Sequence, residues 1–336
     1  MHSKYRAFGL LSLFTLFLLA PIYASAQATN VTPQMWSEIN AQRSAFGDPN
    51  DCQSRVAAIP STGYVLPAGG DIASALSSNS VVVLQTGTYR PTGSLLAIPT
   101  GKKLVAGPGQ NPVVDLSALT NFGAVYVGDN AVVSGIEFKN AQGISIITFD
   151  TGRGAYSSGG LLYNLTVHDS GRTGSMDDGT GVTINGGSNW CVVSLETYNS
   201  WNQAGSSGNN ANDPTRNGGN SDGIQNKYGA SQNTFIAINS HNNGDDGMDM
   251  WEGGQAYWYF SSSHDNGKVP GVTNGGDGNG VKLGRGDVAH KFYKTTANNN
   301  GACGYDLNAN LQDPILVQST ASGNPRGDYC YFLVAP

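Results

Sequence analysis

The sequence predicts an all-β, single-domain parallel β-helix, and three observations lead to this fold class. The chain of 336 residues has 46 glycines and 12% charged residues, whereas ordinary globular domains have roughly 7% glycine and 25% charge. Its apolar residues form short runs of Val, Ile, Tyr and Phe between turns rich in Asn, Ser and Gly, which is typical of many short strands. An internal repeat then favours coils that stack on one another. The same composition excludes an all-helical, coiled-coil or disordered chain.

The first 26 residues have the features of a signal peptide. Lys4 and Arg6 precede an apolar run over 8–20, and Ala24-Ser25-Ala26 is a small-residue cleavage pattern. The run is shorter than the roughly 20 apolar residues that span a bilayer. We therefore expect residues 1–26 to be removed on secretion. Residues 27–336 are expected to form one extracellular catalytic domain without a membrane partner, in which 27–80 are the N-terminal extension and cap.

The mature chain is acidic, because removal of the leader leaves 16 basic against 24 acidic residues and a net charge of −8. We expect a monomer with no nucleic-acid partner. An oxidising compartment allows three complete pairings of the four cysteines, and we favour the pairing that contains Cys303–Cys330. Asn30 and Asn164 begin N-glycosylation sequons, which apply only in a eukaryotic host.

The repeat is visible in four glycines, Gly223, Gly247, Gly280 and Gly304, each followed by an apolar–polar–apolar triplet. Their spacings of 24, 33 and 24 residues predict a coil of 24 residues with a nine-residue loop insertion in the middle one. Three Asn-rich turn segments, 241–244, 264–267 and 298–301, follow an aromatic residue at the same offset. Because the spacing is regular, a stacked β-helix is favoured over a β-sandwich or a propeller.

The start of the stack is predicted from a helix signal and a run of valines. Asp71 is a helix N-cap for a short amphipathic segment that ends near Leu76, and we interpret this helix as the cap over the open end of the apolar core. Residues 81–84 are the predicted first strand. Further valine pairs between residues 113 and 133 continue the coils.

Alignment of the glycines predicts which side chains stack. The outward position two residues after each glycine is Gln225, Asp249, Lys282 and Asp306, and equivalent positions on successive coils lie about 4.8 Å apart. Four carboxylates then converge, those of Asp222, Asp245, Asp246 and Asp249.

Like charges at this separation repel, and a calcium ion bound by six to eight oxygens removes the conflict. The alternative for Asp245-Asp246-Gly247 is an exposed acidic turn. A turn is also the preferred interpretation of Asp177-Asp178-Gly179.

Lys282 lies in the column between Asp249 and Asp306. One interpretation is a surface ion pair of little energetic value. The other is a general base, which requires the neutral amine; a neighbouring cation favours that form and the two acids oppose it. The geometry leaves both interpretations open.

Three segments, 220–223, 243–249 and 276–284, resemble the ordered motifs of pectate lyases of polysaccharide lyase family 9. The resemblance covers roughly residues 160–310, and the third segment, which contains Lys282, is the most specific. It implies a right-handed parallel β-helix, Lys282 as the Brønsted base, and calcium held by Asp222, Asp245, Asp246 and Asp249.

We therefore expect a secreted pectate lyase that cleaves polygalacturonate, an anionic polysaccharide, by calcium-assisted β-elimination. Arg285 is expected to bind a further substrate carboxylate, and the alternative is a solvated surface arginine. Trp251 and Tyr257 can stack on sugar faces, although such residues more often serve packing.

Two other function classes stay open. A β-helix hydrolase of polygalacturonase type would use Asp222, Asp245 and Asp246 as its catalytic carboxylates. The Gly-His-Gly and Arg-x-Lys motifs expected after Asp246 in such a hydrolase are absent. A non-catalytic polysaccharide-binding β-helix would leave Lys282 without a chemical role.

Overall fold

The computed structural model describes residues 30–171, 178–201, 220–268 and 276–333. The predicted signal peptide lies outside these residues. In the described part of the chain, three helices and 26 strands follow one another along the sequence: α1 Pro33–Phe46, α2 Cys52–Ala57, β1 Tyr64–Leu66, α3 Ile72–Ser78, β2 Val81–Leu84, β3 Gly87–Tyr89, β4 Leu96–Ile98, β5 Lys103–Ala106, β6 Pro112–Asp115, β7 Gly123–Val127, β8 Val132–Ser134, β9 Glu137–Lys139, β10 Ile144–Asp150, β11 Ala155–Tyr156, β12 Leu161–His168, β13 Val182–Asn185, β14 Cys191–Tyr198, β15 Ile224–Lys227, β16 Asn233–His241, β17 Met248–Asp249, β18 Ala256–Tyr259, β19 Ser262–His264, β20 Val281–Lys282, β21 Lys291–Tyr293, β22 Thr296–Asn298, β23 Cys303–Asp306, β24 Ile315–Val317, β25 Thr320–Ser322 and β26 Gly327–Cys330.

These strands form two sheets that run along the stack of coils. Sheet A has 16 strands, and its main path runs from β1 through β12, β14 and β16 to β24. Sheet B has ten strands, in the order β4-β7-β10-β13-β15-β17-β20-β23-β26, with β11 paired to β10. Neighbouring coils pair in parallel, while the β10–β11 hairpin is antiparallel. The predicted all-β parallel coil architecture is confirmed.

The core lies between the sheets and is filled by inward side chains that stack from coil to coil. The aromatic residues that marked the repeat lie here: Phe235 and Trp258 stack with ring centroids 3.9 Å apart, and Trp258 and Phe292 follow at 6.2 Å. The apolar residues of this core are thus buried against those of neighbouring coils.

The Asn-rich turns form a ladder of amides at the corner of the coils. The amides of Asn243, Asn266 and Asn300 each donate to the side-chain carbonyl of the asparagine one coil further on, at 2.9, 3.0 and 3.1 Å, and the row ends at Asn324. The residue before each amide, such as Asn242 with φ of 54°, is left-handed and turns the chain. Buried amides that partner one another in this way carry no unsatisfied group.

Helix α3 caps the stack as predicted. Asp71 accepts a hydrogen bond from the backbone N–H of Ser74 at 3.1 Å, and Ile72 and Leu76 are buried in the same core as the coils. The prediction that 81–84 is the first strand is wrong, because β1 precedes it and pairs with it in parallel. Strand β1 is three residues long and mostly exposed, so its sequence lacks the alternation of apolar and polar residues that predicts a strand.

The rest of the N-terminal extension covers a sheet face and not the end of the stack. Helices α1 and α2 place Ile39, Phe46 and Cys52 in a second apolar cluster against the outer side of sheet A. A disulfide joins Cys52 to Cys191, and another joins Cys303 to Cys330, which confirms the favoured pairing. Among the described helices, none has the length and apolarity that a bilayer crossing requires.

Candidate active site

The strand registers place the predicted column side by side. Asp249 on β17 is paired with Gln225 on one side and with Lys282 on the other, and Lys282 is paired with Asp306. The nine-residue insertion before Gly280 leaves this register intact. The neighbours predicted from the alignment of the four glycines are therefore confirmed.

The aspartates lie together in two overlapping groups. One carboxylate oxygen from each of Asp222, Asp246 and Asp249 lies within 4.8 Å of the others, and Asp245, Asp246 and Asp277 form a second such set. Four of these side chains are buried, and only Asp277 is exposed. The interpretation of Asp245-Asp246-Gly247 as an exposed acidic turn is therefore wrong. Asp277 was not predicted as a member of the cluster.

The backbone of the next coil holds the carboxylates in place. Asp222 accepts a hydrogen bond from the backbone N–H of Asp246 at 2.9 Å, and Asp246 accepts one from Asn279 at 2.7 Å. Each of these two aspartates thus uses one carboxylate oxygen to accept a hydrogen bond from the backbone of the next coil. The second oxygen of Asp246 is fully buried and has no hydrogen-bond partner, although Nζ of Lys282 lies 3.3 Å from it.

Asp245 is held by the loop that contains the insertion. It accepts hydrogen bonds from the backbone N–H groups of Asn220, at 2.8 Å, and of Asp277. A Cβ at Gly276 would lie 2.1 Å from the carboxylate of Asp245, so only glycine fits this approach. The Gly-Asp-Gly segment in the sequence therefore serves to wrap backbone around Asp245.

Lys282 is buried against the cluster. Its Nζ lies 2.5 Å from Asp277 and 3.3 Å from Asp246, and 5.6 Å from the ring centroid of Trp251. Burial alone would lower the pKa of Lys282, but Asp246, Asp249, Asp245 and Asp277 outweigh it and raise that pKa. A cation bound among these acids would act in the opposite direction, towards the neutral amine.

A second buried lysine, which was not predicted from the sequence, faces the other side of the cluster. Nζ of Lys227 lies 2.9 Å from Asp249 and 3.6 Å from Asp222. Burial opposes its charge, yet Asp249 and Asp222 raise the pKa of Lys227. The sequence does indicate this position, because Lys227 is two residues after Gln225 and alternate residues of a strand lie on the same face.

Asp178 also lies near this group. Its carboxylate accepts hydrogen bonds from the backbone and hydroxyl of Thr180, at 3.0 and 2.6 Å, as expected of a turn. Burial raises its pKa, and Lys227 opposes the rise. The preferred turn interpretation fits Asp178, and Asp177 lies outside the described residues.

The cluster has the donors and the charge of a divalent-cation site. Asp222, Asp245, Asp246, Asp249 and Asp277 carry three more charges than the two lysines balance when all are ionised. Burial, reinforced by neighbouring carboxylates, raises the pKa of Asp222, Asp245 and Asp246. Oxygen donors at this density suit calcium, and the second oxygen of Asp246, which has no hydrogen-bond partner and an ion pair to Lys282, is available as a ligand atom. The residues present therefore fit this cation.

Three further predicted residues lie outside the cluster. Arg285 is 68% exposed and pairs with Glu252 at 3.6 Å, so it does not touch the aspartates. Tyr257 is buried on sheet A, where its hydroxyl donates to Gly47 and Gln232, and this confirms its packing role. Trp251, by contrast, lies at the edge of the candidate site beside Lys282.

Residues 71–333 match the family described as Pel9A-like, right handed beta helix region. The chain belongs to this family. The predicted right-handed parallel β-helix is thereby confirmed. The Pel9A-like relatives include "Pectate lyase L" of Thermoclostridium stercorarium, which is 28% identical over 271 residues, or 74% of this chain and 20% of that protein. The chain thus spans a fifth of the length of that curated relative.

Two solved structures share the Pel9A-like fold. The crystal structure of pectate lyase Pel9A is 21% identical, with a TM-score of 0.64 over 80% of this chain and 72% of that one. A rhamnogalacturonan lyase is 22% identical, with a TM-score of 0.60 over 79% of this chain and 74% of that one. Both carry names of polysaccharide lyases, and at this identity they show the fold alone.

Proposed function

We propose that this protein is a calcium-dependent pectate lyase of polysaccharide lyase family 9, which cleaves polygalacturonate by β-elimination. The observation that carries the proposal is the contact of Lys282 with a buried carboxylate cluster that fits a divalent cation. The pectate lyase relatives support the substrate class. Residues 1–26 are then a secretion signal, and 27–336 are the catalytic domain of a monomeric extracellular enzyme.

Asp222, Asp245, Asp246 and Asp249 would hold the calcium, with Asp277 at the solvent side of the same cluster. When bound, calcium supplies the positive charge that withdraws electron density from the substrate carboxylate. The protein itself is acidic, and Arg285, which is 68% exposed, would help to orient an anionic chain. Arg285 would bind a carboxylate of a neighbouring sugar.

Lys282 is the proposed base. In the reaction, the C–H bond α to the uronate carboxylate breaks and its proton moves to Nζ of Lys282. The electron pair of that bond forms a carbon–carbon double bond as the bond to the 4-linked oxygen breaks. The departing oxygen takes a proton from solvent, to which Lys282 returns its own. The products are a shortened chain and an unsaturated sugar end. Asp277 and Asp246 fix the position of Nζ from two sides before substrate enters.

The test follows ultraviolet absorbance of the unsaturated uronate on polygalacturonate, with calcium and then with EGTA. We expect absorbance that grows only with calcium. Lys282→Gln is expected to lower the rate at least about 1,000-fold, since a proposed proton acceptor is lost. Lys139→Gln, on sheet A, is the matched control and should retain full activity.

The outcomes separate the function classes. Reducing ends without absorbance would indicate a hydrolase, and neither signal would indicate a binding protein. Calcium titration of Lys282→Gln by isothermal calorimetry provides a second measurement. Binding that persists in this variant while turnover is lost separates the base from the calcium ligands.

A further inference from the structure

The column that contains Lys282 continues along sheet B towards the N-terminal coils. Gln225 pairs with Thr183, Thr183 with Ile147, and Ile147 with Tyr126. Five coil steps therefore separate Tyr126 from Lys282, which is roughly 24 Å at the spacing of neighbouring strands. The charged side chains occupy only one end of this outward face.

Aromatic side chains follow the other end of the face. Tyr126 and Phe149 meet edge to face with ring centroids 5.8 Å apart, and Phe149 and Tyr156 meet in the same way at 6.0 Å. Tyr156 is 45% exposed. Aromatic rings that meet edge to face leave part of each ring face uncovered.

The antiparallel strand β11 brings Tyr156 back towards the candidate site. Its ring lies directly on the backbone of Gly186, where an added Cβ would be 2.0 Å from the ring. Gly186 has φ of 60°, and its N–H donates to the carbonyl of Lys227 at 2.9 Å. Tyr156 thus lies one coil away from the buried lysine of the cluster.

Two more rings complete the connection. Tyr228 is 52% exposed, and its backbone N–H donates to Trp251, which lies 5.6 Å from Lys282. We define the aromatic strip as Tyr126, Phe149, Tyr156 and Tyr228. Tyr228 and Trp251 lie on neighbouring coils, so the aromatic strip leads along sheet B towards the candidate site.

The aromatic strip is flanked by cations that are already paired. Arg153, in the β10–β11 hairpin, pairs with Asp129 at 2.6 Å and with Asp150 at 3.2 Å. Lys227 pairs with Asp249 and Asp222. These two cations therefore have their charge met by carboxylates of the protein, and the chemistry offered along the strip is that of aromatic faces.

We propose that the aromatic strip is a distal binding site for the same polysaccharide chain, several sugars away from the bond that is cleaved. The proposal rests on the proposed function and adds a specificity to it. Pyranose faces carry C–H groups that complement the electron-rich face of an aromatic ring. Binding here therefore recognises sugar rings and requires no free carboxylate, so uncharged or esterified sugars are accepted at this distance from Lys282.

The test measures binding in the Lys282→Gln background, so that the ligand is not cleaved. A galacturonate decamer and a tetramer are titrated with calcium present. The parent should bind the decamer more tightly, and Tyr156→Ala should weaken decamer binding roughly five- to tenfold while changing tetramer binding less than about twofold. Tyr64→Ala is the matched control, because Tyr64 is 48% exposed on sheet A. Tyr228→Ala is a second variant with the same expected direction.

Salt provides the second measurement. The ratio of decamer to tetramer affinity should stay constant between about 0.05 and 0.5 M NaCl, because stacking is not screened. A ratio that collapses with salt indicates ion pairing and overturns the proposal. Equal decamer affinity in the parent and in Tyr156→Ala overturns the distal site and leaves the proposed function intact. Failure of the parent to bind either oligomer overturns both.

Discussion

Two stacks of short polar side chains rise through the coils at the same spacing, and they differ in how their polar groups are satisfied. In the corner ladder, each of Asn243, Asn266 and Asn300 donates to the next amide. In the carboxylate cluster, Asp246 keeps a buried oxygen without a hydrogen-bond partner. The ladder satisfies its own amides, whereas the cluster leaves this oxygen with Nζ of Lys282 as its nearest cation, at 3.3 Å. The same coil geometry thus produces a structural element in one place and a candidate site in the other.

The largest expected effect comes from removing one charge of the cluster. Asp246→Asn should weaken calcium binding about 100-fold, because a central ligand loses its charge. The same change should raise the melting temperature in chelator, since fewer buried carboxylates repel one another. Calorimetric titration and thermal unfolding measure the two effects.

Asp265→Asn is the control for this experiment, because Asp265 is 43% exposed and pairs with His264 away from the cluster. It should leave both quantities unchanged. Unchanged calcium affinity in Asp246→Asn would contradict the assignment of Asp246 as a ligand.

Breaking the ladder should affect stability and spare the cation site. Asn266→Ala removes the donor to Asn300 and the acceptor of Asn243, both buried. We expect the free energy of unfolding to fall by about 2 kcal/mol, because the backbone and side-chain N–H groups of Asn243 lose a buried acceptor and Asn300 loses a buried donor. Guanidinium unfolding followed by tryptophan fluorescence measures the loss.

The control is Asn298→Ala, at the first position of the next Asn-rich turn, 298–301, where the side chain accepts an exposed hydrogen bond from Ser322. Its cost should stay under about 0.5 kcal/mol. A shift in calcium affinity in Asn266→Ala would show that the two stacks depend on each other.

Lys227 makes the comparison sharper, because it is a cation already built into the cluster. Lys227→Met removes a positive charge 2.9 Å from Asp249, so calcium should bind roughly tenfold more tightly. The calcium-free protein should become less stable, since Asp222 and Asp249 lose their counter-charge. Calcium titration measures the first effect and unfolding in EGTA the second, with Lys139→Met as control. Weaker calcium binding would instead show that Lys227 orients Asp249.

The smallest expected effect concerns a third stack, on the outer face of sheet A. Here His168 is paired with two acidic side chains, Asp169 and Glu137. Burial alone would lower the pKa of His168, but hydrogen bonds to Asp169 and Glu137 raise it to about 9. Lys139 pairs with Glu137 from the same strand, and the ring stacks on Tyr198 at 4.7 Å.

The pKa of His168 in the folded protein lies above the unfolded value of about 6.5. Its contribution to the free energy of unfolding is therefore complete below pH 6.5 and is lost as the pH rises through about 9. Between pH 8 and pH 9.5 the unfolding free energy should fall by about 1 kcal/mol. His168→Gln should flatten this slope, while His264→Gln should keep it. An unchanged slope in His168→Gln would contradict the assignment.

The column of the candidate site was predictable because its glycines repeat at 24 residues and a strand fixes which side chains share a face. Asp277 was missed because it follows an insertion, where no register relates it to the coils. Lys227 was missed because the aligned triplet ends one residue before it. The packing of α1 and α2 on sheet A could not be predicted from the sequence repeat, because the hydrogen bonds that hold this region join segments almost 200 residues apart.

The link between Cys52 and Cys191 has a consequence for how the molecule comes apart. A solenoid contacts only its neighbours, so its terminal units can fray one after another. This covalent tie spans 139 residues and joins a helix before the first coil to a strand in the middle of the array. Unravelling from the amino-terminal side is therefore confined to a closed loop, while the shorter Cys303–Cys330 tie holds only the last coils together at the other end.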